Sequence, residues 1–253
     1  MALQPQSAWD LPPTVGRQIS FVSIQADGAP SAIARDVAQR LRQALAARGH
    51  AVLHVSGGKS PVALFHALRG QLLDWSRVQV SLADERCLPM GHADSNATLV
   101  QAHLLQGPAA HAKFVPLVPQ RTEPLPPISE LARHADQALR AMGPADVLIL
   151  GLGSDGHTAS IFPTMASLAQ ALDDHNPLTC MPVESDCTAP QARYARVTQT
   201  LAHLLSARHI VLPVAGADKQ AVLRLACQRT QPQYPISFVL HQSKAPVAVW
   251  ICP

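Results

Sequence analysis

Short apolar runs alternate with longer amphipathic segments along most of this chain, and this alternation limits the possible folds more than any other feature. The predicted strands lie at residues 51–55, 78–83, 113–117, 146–150, 196–200, 209–214 and 247–252. Most of these runs are apolar throughout rather than at every second residue, which is typical of parallel sheets covered on both faces. The pattern therefore predicts an α/β fold with a mostly parallel sheet and helices on both faces.

The longest segment between strands illustrates how the helices are predicted. Residues 31–50 place Ile33 and Val37 on one face, as an amphipathic helix requires. Ser31 is expected to cap the N-terminus of this helix, and Gly49 is expected to end it. Further helices are predicted at residues 95–105, at residues 129–142 and after residue 219.

Composition restricts the class of protein and its partners. The 253 residues are expected to form a single α/β domain, residues 1–253. The net charge of +3 is spread along the chain and aromatic residues make up only 4%, so we expect no nucleic-acid partner. No apolar stretch reaches the length of a membrane span, so we expect no membrane association. The mild excess of cations suits a small anionic substrate.

The cysteines and the N-terminal residues favour a cytoplasmic location. The chain has 5 Cys, an odd number, and none of them belongs to a CxxC pair. Residues 1–13 lack the basic start and the apolar run of a secretory signal. We therefore expect a cytoplasmic protein with reduced thiols. We further expect a monomer or a weak homodimer.

Polar loops follow three of the predicted strands, at residues 56–61 (SGGKSP), 84–89 (DERCLP) and 151–158 (GLGSDGHT). The carboxyl ends of parallel strands meet at one edge of a sheet, and ligands of α/β proteins bind there. We therefore expect the three loops to converge on one crevice. In the first loop, Gly57 and Gly58 lie between a strand and a helix, where their backbone N–H groups would be available to an anion.

Two nucleotide-binding motifs are suggested by these loops, and neither meets the requirements of its ligand. The six residues from Gly151 spell G-x-G-x-x-G, but Asp155 would bring a negative charge to a pyrophosphate, and Pro163 would interrupt the following helix. The residues G-K-S at 58–60 would complete a phosphate loop only with glycine at position 53, which is Leu53 here. We therefore expect neither a dinucleotide nor an NTP, and we predict no cofactor.

An acid and a base stand two residues apart in the third loop. His157 follows a predicted strand in a glycine-containing turn, which suits a general base that titrates near neutrality. It could instead be a histidine at a helix start that is bonded to the backbone. Asp155 could orient the imidazole, cap the following helix, or do both. Asp84, Glu85 and Arg86 similarly form either a surface ion-pair cluster or part of a site.

The chain resembles the family shared by 6-phosphogluconolactonases and glucosamine-6-phosphate deaminases nearly from end to end. The matching motifs are SGGKSP (56–61), WSRVQVSLADERCLPMGHADSN (75–96), LILGLGSDGHTASIFP (148–163), RVTQT (196–200) and GADKQAVL (216–223). The resemblance implies a Rossmann-like α/β fold. It also implies hydrolysis of a phosphosugar lactone, 6-phospho-D-glucono-1,5-lactone, to 6-phospho-D-gluconate in the pentose phosphate pathway.

The resemblance also implies roles for individual residues. At the reacting end, His157 is expected to be the base, Asp155 its orienting partner, and Arg86 a cation near the lactone oxygens or the phosphate. Asp84 is expected to bind sugar hydroxyls and Glu85 to be structural. The implied phosphate site comprises Ser56, Gly57, Gly58, Lys59, Ser60, Arg196 and Lys219. The family commonly has a small polar residue where Lys59 stands.

Two other functions are weighed against lactone hydrolysis. The deaminase branch of the family uses a glutamate where this chain has Phe162, so an isomerase or deaminase is disfavoured. A non-catalytic module that binds a sugar phosphate would keep the phosphate site but would not need His157. No metal is expected, because the 12 histidines show no ligand spacing such as H-E-x-x-H.

Overall fold

A computed structural model describes residues 15–16, 18–58, 60–120, 124–185 and 193–253. Its strands are β1 (Ile19–Ser23), β2 (Ala51–Val55), β3 (Val78–Leu82), β4 (Asp84–Arg86), β5 (Lys113–Phe114), β6 (Val147–Ile149), β7 (Cys180–Val183), β8 (Arg196–Gln199), β9 (Ile210–Ala215) and β10 (Val247–Cys252). Its α-helices are α1 (Ala29–Arg48), α2 (Val62–Arg69), α3 (Asn96–His103), α4 (Ile128–Met142), α5 (Leu168–Ala171), α6 (Leu201–Leu204), α7 (Ala217–Ala226) and α8 (Ile236–Leu240). Two short 3-10 helices lie at Trp75–Arg77 and Gly107–His111.

The main sheet is parallel throughout its seven strands, in the order β1-β10-β9-β6-β2-β3-β5. Its strands contribute to apolar clusters on both faces, as the continuous apolar runs predict. In β2, Leu53 packs in a cluster with α1, α2, α3 and α4, whereas Val52 packs in a second cluster with α5, α6, α7 and α8. The predicted α/β fold, with a mostly parallel sheet covered on both faces, is therefore confirmed.

A second sheet departs from the prediction. It has three antiparallel strands in the order β4-β8-β7. The segment 196–200 was expected in the parallel sheet, but its strand β8 lies in this smaller one, and the loop predicted at 84–89 begins with β4. The physical reason is that both strands carry charged side chains, Asp84 and Arg86 in β4 and Arg196 in β8, which do not fit a sheet packed between apolar layers. The N-terminal strand β1 was not predicted.

The first helix begins earlier than predicted and ends where predicted. Gly28 occupies the N-cap without a side-chain hydrogen bond, and Pro30 lies in the first turn, so Ser31 is not the cap. Proline suits the first turn because the missing N–H would have had no partner there. Gly49 ends the helix with a φ of 79°, a left-handed conformation that favours glycine.

The order of strands creates a crevice at the centre of the main sheet. From β2 the chain adds β3 and β5 on one side, and from β6 it adds β9 and β10 on the other. The connections that leave β2 and β6 therefore diverge from two adjacent strands. Such a switch point is where open α/β sheets bind ligands, outside the carboxyl ends of their strands.

Candidate active site

A pocket of about 370 Å³ opens at this switch point. Nine of the residues predicted for a site line it: Ser56, Gly57, Gly58, Ser60, Asp84, Arg86, His157, Arg196 and Lys219. Asp155 does not line the pocket but contacts His157. Lys59 lies outside the described residues. The three loops that were expected to converge on one crevice therefore do so.

The turn after β2 is joined to the turn after β6 by Ser56. Its backbone N–H donates to the carbonyl of Ile149 over 2.9 Å, and its hydroxyl oxygen accepts from the N–H of Gly151 over 3.2 Å. Gly57 follows, and a Cβ built at this residue would lie 1.9 Å from Oδ1 of Asn96. Only glycine allows that approach. Gly58 adopts a φ of 93°, so the backbone conformation favours glycine there, whereas at Gly57 the side chain of Asn96 leaves no room for a Cβ.

One end of the pocket is suited to a phosphate. Lys219, in the first turn of α7, donates from Nζ to the hydroxyl of Ser60 over 3.2 Å. Burial lowers the pKa of Lys219 from its ordinary value. The pocket lining also includes Pro30 and Pro61, at the N-terminal ends of α1 and α2. Helix N-termini and an ammonium group both favour an anion, so the local field matches a phosphate dianion.

The turn after β6 holds the imidazole of His157 against the backbone. A Cβ built at Gly153 would lie 2.2 Å from Nδ1 of His157, so the ring occupies the space above this glycine. Oδ1 of Asp155 lies 2.5 Å from the same Nδ1 and accepts the backbone N–H of His157 over 3.2 Å. An ionised carboxylate only accepts, so the ring proton of a neutral His157 belongs on Nδ1. The lone pair then belongs to Nε2, where a general base needs it.

Two opposing effects act on the pKa of Asp155. Burial alone would raise it, but the hydrogen bond and the charge of His157, together with backbone N–H groups, outweigh burial and lower it. The carboxylate therefore stays ionised beside the imidazole. An ionised partner favours the protonated imidazole that forms when His157 accepts a proton.

Phe162 packs between the base and a guanidinium. Its ring centroid lies 4.7 Å from that of His157, and Cζ of Arg196 lies 5.2 Å from the same ring. The side chain is 3% exposed and does not line the pocket itself, so the ring packs behind these two side chains. The ring was singled out in the sequence for another reason, and its contact with Arg196 was not predicted.

Arg196 and Asp84 form a buried pair that Ser160 completes. Nη1 of Arg196 lies 3.6 Å from Oδ2 of Asp84 and donates to the hydroxyl of Ser160 over 3.3 Å. Ser160 in turn donates to the same Oδ2 over 2.5 Å. Burial lowers the pKa of Arg196, and the charge of Asp84 opposes that shift. The pair thus fixes a cation at the pocket wall, and one oxygen of Asp84 is already engaged.

Arg86 is the cross-strand neighbour of Arg196 in the small sheet. Its Nη1 donates to the backbone carbonyl of Asp94 over 2.5 Å. Its Nε is buried and has no hydrogen-bond partner among the residues that the structure describes. Two guanidinium groups therefore line one wall of the pocket. A buried N–H without an acceptor is costly, which favours an oxygen-rich ligand here.

Glu85 has the structural role that was expected of it. Its carboxylate accepts from the hydroxyl of Ser95 and from the backbone N–H groups of Asn96 and Ala97, over 3.0, 2.8 and 2.7 Å. It therefore satisfies the N-terminus of α3. Burial raises the pKa of Glu85, and these backbone hydrogen bonds oppose the shift. Ser95 is also the N-cap and accepts from the N–H of Thr98 over 3.2 Å.

Two further residues of the pocket were not predicted as site residues. Asn96 lines the pocket and donates from Nδ2 to the carbonyl of Asp84 over 2.8 Å. Ala159, two residues after His157, has a φ of 48°, in the left-handed region that an L side chain rarely adopts. Nothing about an alanine in the sequence indicates such a conformation. Strained backbone of this kind clusters at functional sites.

Within the part of the chain that the structure describes, one group of possible metal ligands lies close together, Asp173, Asp174 and His175. It does not line the pocket, and Lys244 pairs with Asp174 over 2.7 Å. Within the same described residues, no helix is long and apolar enough to cross a membrane.

Comparison with known proteins gives consistent results. The family profile described as glucosamine-6-phosphate isomerases/6-phosphogluconolactonase matches residues 25–250. The 6-phosphogluconolactonase of Pseudomonas putida is 44% identical over 222 residues, which is 87% of this chain and 87% of that protein. That of Pseudomonas aeruginosa is 45% identical over 218 residues, 85% of this chain and 87% of the relative. A solved 6-phosphogluconolactonase structure from Shewanella baltica is 35% identical and superposes with a TM-score of 0.84, over 94% of this chain and 100% of that one.

Proposed function

The chain belongs to the glucosamine-6-phosphate isomerase/6-phosphogluconolactonase family, and on that basis we propose that it hydrolyses 6-phospho-D-glucono-1,5-lactone to 6-phospho-D-gluconate. This makes it a carboxylic ester hydrolase of the pentose phosphate pathway. The observation that carries the proposal is the contact between Asp155 and His157 in a pocket that also holds Lys219 and a glycine turn. A base and an anion site in one pocket match a phosphorylated ester.

The chemical step begins at His157. Its Nε2 takes a proton from water, and the water oxygen forms a bond to the lactone carbonyl carbon. The carbonyl oxygen becomes an oxyanion, and Arg86, whose Nε has no acceptor among the described residues, stabilises it. The bond from this carbon to the ring oxygen then breaks. The ring oxygen takes the proton from the imidazolium and becomes a hydroxyl, and the acid loses its proton to solvent.

Phosphate recognition centres on Lys219 and the glycine turn. Lys219, Arg196 and the N–H groups of Gly57 and Gly58 bind the phosphate as a dianion. The remaining donors proposed for this end are the hydroxyls of Ser56 and Ser60 and the ammonium of Lys59. Asp84, with its second carboxylate oxygen, binds a sugar hydroxyl.

Phe162 favours this reaction over the other one known in the family. A deaminase or isomerase of this family needs an acid where this chain has an apolar ring that is 3% exposed. An aromatic ring supplies no proton for opening a sugar ring. A module that merely binds sugar phosphates would have no need of the bond between Asp155 and His157.

We propose that residues 1–253 act as one domain in the cytoplasm, as a monomer or weak homodimer, with no nucleic-acid partner. Neither the fold nor the proposed reaction requires a second copy of the chain or a nucleic acid.

The direct test is an assay with freshly generated lactone. Carboxylate formation is measured above the spontaneous rate at each protein concentration, and ammonia release from glucosamine 6-phosphate is measured in parallel. The proposal expects catalysed lactone hydrolysis and no ammonia. Binding of 6-phosphogluconate without turnover of either substrate would instead identify a binding module.

A further inference from the structure

The guanidinium of Arg86 is oriented by a contact with a backbone carbonyl. Its Nη1 donates to the carbonyl of Asp94 over 2.5 Å, and its Nε has no hydrogen-bond partner among the described residues. A guanidinium that is fixed at one nitrogen can turn about that contact unless its acceptor is itself held. The position of the Asp94 backbone carbonyl therefore determines where the other nitrogens of the Arg86 guanidinium lie.

The Asp94 backbone is held by its own side chain. Oδ2 accepts from the hydroxyl of Tyr194 over 2.8 Å, and the guanidinium of Arg193 pairs with the same oxygen. The backbone N–H of Asp94 donates to Nδ1 of His92 over 3.0 Å. Arg193 also lies over the ring of Tyr194, with Cζ 4.5 Å from its centroid. The Asp94 carboxylate thus connects the segment 92–94 to the segment 193–194, which is distant in the sequence.

These segments are the ones that carry the two arginines of the pocket. Tyr194 comes two residues before Arg196 in β8, and Asp94 follows the loop that leaves Arg86 in β4. The N–H of Cys87 donates to the carbonyl of Ala195 over 2.8 Å, which continues the pairing of the two strands. Neither Asp94 nor Tyr194 lines the pocket. Any effect of theirs on the reaction must therefore pass through other residues.

We propose that Asp94 and Tyr194 form a clamp that positions Arg86 for the lactone. This inference rests on the proposed function, in which Arg86 stabilises the oxyanion. Tyr194 and Asp94 are positioning residues. The clamp holds the carbonyl that orients the guanidinium, so its loss lowers catalysis only while Arg86 is present.

The test is a double-mutant cycle between Tyr194→Phe and Arg86→Ala. Tyr194→Phe removes only the hydroxyl and keeps the ring under Arg193. The control is Ser76→Ala, which also removes a hydroxyl that donates to a carboxylate, here that of Asp74 over 2.6 Å. Ser76 precedes the first residue of β3, whereas the pocket lies at the carboxyl ends of the strands. For each protein, kcat and KM for the lactone, the affinity for 6-phosphogluconate and the melting temperature are measured. The affinity supplies a second cycle if Arg86→Ala is too slow to assay.

We expect Tyr194→Phe to lower kcat/KM by about 2- to 12-fold, the range for one hydrogen bond, mainly through kcat. Asp94→Ala, which keeps the backbone carbonyl, should lower it at least as much, and Ser76→Ala should leave it unchanged. In the Arg86→Ala background, Tyr194→Phe should have no further effect. An undiminished effect in that background would overturn the clamp and leave the proposed function standing. Wild-type activity in Arg86→Ala would refute the role of Arg86 itself, and wild-type activity in a folded Tyr194→Phe would refute the clamp.

Discussion

Oδ1 of Asp155 lies 2.5 Å from Nδ1 of His157, and the same oxygen accepts the backbone N–H of His157 over 3.2 Å. Two contacts from one carboxylate therefore set both the backbone and the ring of the proposed base. The turn depends on Gly153 as well, because a side chain there would collide with the imidazole. The ring is held so that Nε2, the nitrogen opposite the carboxylate contact, carries the lone pair.

The first prediction concerns this carboxylate. Asp155→Asn keeps the shape of the side chain but removes its charge, and its amide group can favour the wrong imidazole tautomer. Losing one charge-assisted hydrogen bond predicts a fall in kcat of about 10- to 150-fold, with KM little changed. Steady-state kinetics on the lactone measures this. A kcat within error of the wild type would mean that the carboxylate only stabilises the backbone of the turn and does not assist the base.

The second prediction separates phosphate recognition from the chemical step. Lys219→Ala removes an interaction that is made equally in the ground state and the transition state, so KM should rise while kcat changes less. The expected loss in kcat/KM is about 10- to 150-fold for the phosphorylated lactone. The loss should shrink or vanish for unphosphorylated gluconolactone, at constant ionic strength.

Lys244→Ala is the matched control for Lys219→Ala. It removes an ammonium that pairs with Asp174 and does not line the pocket, so neither substrate should be affected. Equal losses on both substrates for Lys219→Ala would mean that this lysine acts in folding or in the reaction. The phosphate site would then have to be assigned to Arg196 and the glycine turn.

The third prediction concerns acid sensitivity of the fold. Burial, with the neighbouring His203, lowers the pKa of His54 from 6.5 to about 3, although a hydrogen bond from Gln199 opposes the shift. Burial likewise lowers the pKa of His203 to about 4. The unfolded chain therefore binds more protons than the folded one below pH 6.5. Stability should be full above that pH and fall as the pH drops from about 6.5 towards 4, by at most about 1.4 kcal/mol per pH unit for each group.

Urea unfolding between pH 7 and pH 4 measures this dependence. His203→Leu removes one of the buried groups and should make the dependence shallower. His134→Ala, a change at an exposed histidine of α4, serves as the control and should leave the slope unchanged. A slope that is the same in His203→Leu and the wild type would show that His203 is not a source of acid sensitivity.

The parallel sheet could be predicted because its strands are buried on both faces and are therefore apolar throughout. The strand β10 has the predicted bounds, residues 247–252. The convergence of the loops after these strands could be predicted as well, because the carboxyl ends of parallel strands meet at one edge of the sheet. The small sheet could not be predicted, because Asp84–Arg86 is a strand of three charged residues that reads as a loop.

Details of the site depended on contacts between segments far apart in the sequence. The amide of Asn96 lies against Gly57, and the buried pairing of Asp84 with Arg196 joins β4 to β8. Each of these residues has an ordinary local explanation, as a helix cap or a surface charge. Only their burial in a common pocket distinguishes the two interpretations. The φ of Ala159 has no sequence signature at all.

The central claim is that His157 activates water for attack on the lactone, and His157→Ala tests it most directly. The measurement is kcat on freshly generated lactone, with the spontaneous rate subtracted, beside the affinity for 6-phosphogluconate and the melting temperature. A general base is worth about 100- to 10,000-fold, so kcat should fall by at least about 100-fold while the folded variant still binds the product. A folded His157→Ala protein that hydrolyses the lactone at a near-normal kcat would contradict the account.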